Sequence, residues 1–146
     1  MLFRSGGALT GATPDGRYAG EICADGTMSP MQGADQRGPT GMLASAMRIN
    51  QDPYQATLLN MKLHPSAMKT EDDLKKVAML LKIYFSQGGK HVQFNVVDRA
   101  TLVEAQNDPQ KHRNLAVRVA GYSAYFIQLG RGMQDEIIKR TEHRSC

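Results

Sequence analysis

A helical segment bracketed by two strand-like runs leaves this chain few ways to fold. Leu74, Val77, Leu81 and Tyr84 recur at helical spacing, Thr70 stands as an N-cap three residues before Asp73, and Gly88-Gly89 supply a stop. The pattern predicts a helix over residues 71–87. Before it, residues 57–63 read as a strand halted at Pro65. After it, residues 91–97 alternate strictly, with Val92, Phe94 and Val96 on one face and His91, Gln93 and Asn95 on the other. Strand, helix, strand is a βαβ unit, whose crossover lets the strands run parallel, so the expected fold class is α/β. The apolar strand face is expected against helices. The polar face, with Asn60, Gln93 and Asn95, has two readings: it lines the lumen of a barrel, or it faces water on an open sheet.

The chain divides into three stretches around this unit. Residues 1–40 carry turn signals at Pro14-Asp15-Gly16, Asp25-Gly26, Ser29-Pro30 and Gly38-Pro39, and read as a loop-rich segment that packs on something larger. Residues 41–113 hold the βαβ unit. Met42, Leu43, Ala46, Met47 and Ile49 predict a short helix before it over residues 40–50, and another is expected after it over residues 99–107, ahead of Pro109. Residues 114–146 begin with a hydrophobic run to Tyr122, and the spacing then predicts a final helix over residues 123–140. Phe126, Leu129, Met133 and Ile137 form its buried stripe, with Gly130 and Gly132 in its middle and i,i+4 pairs Asp135–Lys139 and Glu136–Arg140 outside. Gly121 falls between run and helix. On spacing alone it is a tight strand-to-helix turn.

Charge and cysteine content narrow the function classes. Eighteen Lys and Arg against fourteen Asp and Glu give a net charge of +4, which raises nucleic acid as a partner. The bases alternate with acids, however, as in residues 70–76 and 134–140, in the manner of solvated helix faces, so no nucleic-acid partner is expected. Cys23 and Cys146 are far apart, without the spacing of a metal site, and read as free thiols in a reducing compartment. No apolar run approaches the ~20 residues of a membrane span. Residues 1–5 also lack a secretory core, so no membrane association and a cytoplasmic location are expected.

Arg118-Val119-Ala120-Gly121-Tyr122-Ser123-Ala124 is similar to the RVxGYS/A signature of the glycyl radical enzymes, the pyruvate formate-lyase-like and glycerol dehydratase-like family, at the family's distance from the C-terminus. Other segments resemble the family in its order: Thr13-Pro14-Asp15-Gly16-Arg17, Ala24-Asp25-Gly26, Gly38-Pro39-Thr40, residues 91–97, Gln134-Asp135-Glu136-Ile137-Ile138 and Arg140-Thr141-Glu142-His143. The resemblance runs from Gly11 to His143.

It implies the C-terminal part of a ten-stranded barrel, comprising its last strands and helices, a glycine radical loop and a C-terminal helix. Gly121 would carry the radical, within a loop motif that includes Arg118, Val119, Tyr122 and Ser123, and Asn60, Gln93 and Asn95 would be lumen residues. No cofactor or metal would be bound. An activase using S-adenosylmethionine and an iron–sulfur cluster would install the radical, which then passes to a cysteine on a separate loop. That loop is absent from this sequence, and Cys23 stands where the family leads into its last strands, the wrong place for a thiyl; Cys146, at the terminus, is less suited still.

The resemblance therefore implies a radical reservoir inactive alone, partnered by a large catalytic portion and assembled as an oligomer or complex. It would be a piece of a longer enzyme, a small subunit, or a spare part for an oxygen-damaged domain. Tyr122-Ser123-Ala124 resembles the dehydratase and decarboxylase branch more than the acyltransferase branch of formate acetyltransferase type. The competing class is a non-catalytic interaction module docking through its glycine-rich N-terminal part.

Overall fold

The structure, a computed structural model, describes residues 2–14 and 16–144. In chain order its elements are α1 (Leu2–Leu9), α2 (Gly38–Ala46), β1 (Leu58–Leu63), α3 (Glu71–Ser86), β2 (His91–Val96), α4 (Arg99–Asn107), β3 (Ala116–Arg118), β4 (Ser123–Tyr125), α5 (Arg131–Lys139) and β5 (Glu142–His143). The architecture is α/β, with β1 and β2 parallel from Leu58 opposite His91 to Leu63 opposite Val96, and α3 as their crossover. Thr70 and Asp73 form the capping box that starts α3: each side chain bonds the other residue's backbone N–H. β5 pairs parallel with β1 on its other side, giving the order β2-β1-β5.

The sheet's two faces are covered differently. Leu59, Met61 and Leu63 of β1 pack with Met42, Leu43 and Ala46 of α2 and with Tyr84 of α3. Tyr84 is the fully buried anchor of α3, whereas Leu74, expected in the buried stripe, is exposed because α3 touches the core along a narrower line. The opposite face carries Asn60, Lys62, Gln93 and Asn95, all buried. Its neighbours are the β3–β4 hairpin, α5 and the N-terminal segment. A second core of Leu102, Ala105, Val117, Val119, Phe126, Met133, Ile137 and Ile138 joins α4 and α5 to the hairpin. Burying Leu102, Phe126 and Ile137 contributes about 1.5–3 kcal/mol each over leaving them exposed.

Three sequence expectations are corrected. Residues 2–9, read as part of a loop, form α1. Gly6-Gly7 resembles a breaker, yet Gly7 is where the helix meets the Glu21 backbone so closely that a Cβ there would strike the Glu21 carbonyl oxygen.

The expected helix over residues 123–140 begins only at Arg131. Ser123–Tyr125 pairs antiparallel with Ala116–Arg118, a 3-10 turn spans Phe126–Gln128, and Gly130 is the N-cap of α5 instead of a weak point within a helix. The apolar spacing misleads because Phe126 and Leu129 pack against the same core as Met133 and Ile137 without lying on one helix.

The expected surface pairs also differ. Asp135 sits 3.8 Å from Arg131 and accepts a 2.7 Å hydrogen bond from Gln106, while the Glu136–Arg140 pair is buried.

Candidate functional site

Gly121 lies in the turn of the β3–β4 hairpin. Val117 pairs with Ala124 and Arg118 with Ser123, and the Val119 N–H donates to the Tyr122 carbonyl at 2.9 Å, leaving Ala120-Gly121 as the loop. Gly121 has φ +77°, in the left-handed region, at the turn position where a type II turn requires glycine. It is exposed, and a Cβ built on it meets nothing within 4 Å. The demand for glycine here is thus conformational, with no steric contact behind it.

The polar face of the sheet holds this turn. Gln93 Oε1 accepts from the Gly121 N–H at 3.2 Å and from Arg118 Nε at 2.9 Å. Asn95 bonds the Arg118 backbone in both directions, Oδ1 accepting from its N–H at 2.7 Å and Nδ2 donating to its carbonyl at 2.6 Å, as a neighbouring strand would. Arg118 Nη1 also donates to Ser123 Oγ at 3.2 Å. Gln93 and Asn95 are each 7% exposed, so they face the hairpin and not water. Asn60 stands one step behind, donating to the Asp25 carbonyl at 2.9 Å. Of the motif residues, Arg118, Ser123 and Gly121 meet in this network, Val119 is buried in the core beneath, and Tyr122 lies at the surface.

Beneath the hairpin is a charge cluster that sequence reasoning missed. Arg140 donates to the Arg118 carbonyl at 3.3 Å and the Val119 carbonyl at 3.0 Å, and pairs with Glu136 at 3.0 Å and Asp25 at 2.8 Å. Gln32 completes it, donating to Glu136 at 3.3 Å. Glu136 is 1% exposed. One guanidinium thus ties the strand entering the turn to α5 and the N-terminal segment. The available signal was the position of Glu136 beside the apolar stripe residue Ile137.

A second polar knot flanks it. Burial alone would raise the Asp35 carboxyl, but contacts from His143 and Thr141 outweigh it and hold the group below its ordinary value. His143 Nε2 stands 3.3 Å from Asp35 Oδ2, near enough for an ion pair but too bent for a good hydrogen bond; the Thr141 hydroxyl donates to Oδ1. Nearby, burial pushes the Lys62 ammonium down, opposed by Glu142. Because the folded value for Asp35 lies below the unfolded one, its contribution is present above the ordinary carboxylate range and lost as pH falls through the depressed value. Asp35→Asn is expected to lower the urea midpoint at neutral pH and to leave a shallower loss at about pH 3.

Cys23, half-buried and unbonded to another sulfur, lines an open cavity with Thr13, Arg17 and Met31, while Cys146 lies outside the described residues. Among the described residues, no group of three or more His, Cys, Asp or Glu gathers as a metal site, and no helix is long and apolar enough to cross a membrane.

The profile of the family described as "Glycine radical" matches residues 24–127, most of the chain and the whole β3–β4 hairpin. The chain belongs to the glycine radical family. Similar curated relatives include indoleacetate decarboxylase of Tractidigestivibacter scatoligenes, 47% identical over 94% of this chain, and the 4-hydroxyphenylacetate decarboxylase glycyl radical subunit of Clostridioides difficile, 44% identical over the same share. The chain spans 16% and 15% of those two proteins. Among solved structures, the glycerol-bound B12-independent glycerol dehydratase of Clostridium butyricum superposes with a TM-score of 0.89 at 48% identity, over 97% of this chain and 18% of that one. The chain therefore corresponds to a small C-terminal part of catalytic radical enzymes.

Proposed function

We propose that Gly121 stores a protein radical for an enzyme whose catalytic cysteine lies outside this chain. The observation that carries the reading is a glycine required by its backbone angle, exposed at a turn, whose N–H and preceding carbonyls are held by buried side chains. Loss of one hydrogen atom from its Cα leaves an unpaired electron between an electron-donating amide nitrogen and an electron-withdrawing carbonyl, and glycine alone lets that centre flatten without a side chain in the way. An activase with an iron–sulfur cluster and S-adenosylmethionine takes the hydrogen atom. The radical then abstracts hydrogen from a cysteine thiol of the larger catalytic portion, restoring the glycine C–H and leaving a thiyl to attack substrate.

Residues 1–40 would pack on the barrel of that portion, residues 41–113 would supply its last strands and helices, with Asn60, Gln93 and Asn95 on the lumen side, and residues 114–146 the radical loop and C-terminal helix. Two features support docking to a larger body: β2 ends the sheet with one partner, and α3 presents Met79, Ile83 and Phe85 to solvent. The reaction of the assembled enzyme is of the lyase class, such as a decarboxylation or dehydration, with formate acetyltransferase-like acyl transfer as the alternative, in an anaerobic cytoplasm, and this chain alone does not turn over substrate.

A main-chain carbon radical adds dioxygen and the chain breaks there. Admitting air to the activated protein is expected to yield two pieces meeting at residue 121 by mass spectrometry. An intact chain after the radical signal has decayed in air would contradict the assignment.

A further inference from the structure

The N–H of a turn residue usually points to water, yet that of Gly121 is bonded to a buried side chain from another sheet. Two donors from the loop, Gly121 N–H and Arg118 Nε–H, converge on one atom of Gln93, which only the carboxamide oxygen can satisfy. The amide nitrogen then faces His91 Nε2 at 3.1 Å, where a neutral imidazole accepts. Gln93 is therefore fixed in orientation from both ends, on the strand position that pairs with Asn60. The strand entering the loop has further holds besides Gln93, since Asn95 and Arg140 bond the Arg118 and Val119 backbone.

We propose that Gln93 is a positioning residue that tunes the radical centre, its carboxamide oxygen polarising the Gly121 N–H so that the amide nitrogen donates more strongly into the adjacent carbon. This rests on Gly121 being the radical site. An acceptor on an N–H raises electron density on the nitrogen, the donating half of the pair that delocalises the unpaired electron, and the Arg118 guanidinium on the same oxygen keeps that acceptor from rotating away. The Cα–H bond of Gly121 is thereby weakened toward hydrogen-atom loss, and the radical, once formed, is stabilised.

The test compares the wild-type chain with Gln93→Met, which keeps the length and removes the acceptor, and Gln93→Glu, which restores one. In the resting protein, Gly121 amide hydrogen exchange is expected to accelerate by at least about threefold in Gln93→Met, the scale set by losing one hydrogen bond, and to return in Gln93→Glu. After anaerobic activation with S-adenosylmethionine and the activase, electron paramagnetic resonance on 15N-glycine-labelled chain should give a smaller amide nitrogen coupling and a lower radical yield in Gln93→Met, both recovered in Gln93→Glu. Unchanged exchange, or a wild-type coupling and yield in Gln93→Met, would overturn the role of Gln93 while leaving Gly121 in place. Absence of signal from the wild type with a competent activase would overturn both, and the exchange data would then report the contact alone.

Discussion

Gly121→Ala is expected to leave the chain folded and to remove the radical signal entirely. A Cβ at this position meets open space, so no packing is lost. The cost is that of placing an L side chain at φ +77°, about 1–2 kcal/mol. That is within the stability of a small domain. The effect on the proposed chemistry is of another order, because alanine puts a methyl group on the carbon that must flatten. A urea titration showing a modest midpoint shift, together with no detectable signal after activation, is the expected pair of results. A non-catalytic docking module would instead keep its function in this variant.

Arg140→Met is expected to be the most damaging single change to the fold. Its side chain is 8% exposed and contacts Glu136 and Asp25, so removing it leaves the buried Glu136 and the half-buried Asp25 carboxylates without their cation and frees the carbonyls of Arg118 and Val119. Breaking a buried ion pair from one side costs about 3–5 kcal/mol. Urea unfolding reads the loss directly. Adding Glu136→Leu to Arg140→Met is expected to recover part of it, since one stranded charge is then gone, and the two changes are non-additive as contacting residues are. Full additivity would mean that the Arg140–Glu136 contact contributes nothing of its own.

What was legible in the sequence were the local signals. Thr70 and Asp73 announce the capping box that forms, Pro109 and the spacing before it bound α4, and the alternation at residues 91–96 identifies the strand and its polar face. The hairpin was hidden because apolar residues at 126, 129, 133 and 137 satisfy a helical period while a 3-10 turn and a helix share the burial between them.

Partnership across the chain was hidden for a different reason. Gln93 and Asn95 are visible as polar positions on a strand, but the groups that satisfy them lie 28 and 23 residues further on, and no pattern in either segment names the other. Glu136 and Arg140 read as a solvated pair because charge spacing on a helix carries no information about what covers it. Their burial follows from the hairpin and the Asp25 segment closing over α5. Gly121 itself is a turn glycine by spacing; its family motif is what distinguishes it from the other positive-φ glycines of the chain.

The most direct measurement is anaerobic electron paramagnetic resonance of this chain, with the proposed large catalytic portion present or absent, after incubation with a glycyl radical activase and S-adenosylmethionine. A glycyl radical gives a doublet through coupling to its one remaining Cα hydrogen. The doublet is expected from unlabelled protein, should collapse to a narrow single line in protein grown with Cα-deuterated glycine, and should be missing in Gly121→Ala. A signal that keeps its splitting after deuteration, or one that survives in Gly121→Ala, would contradict the account.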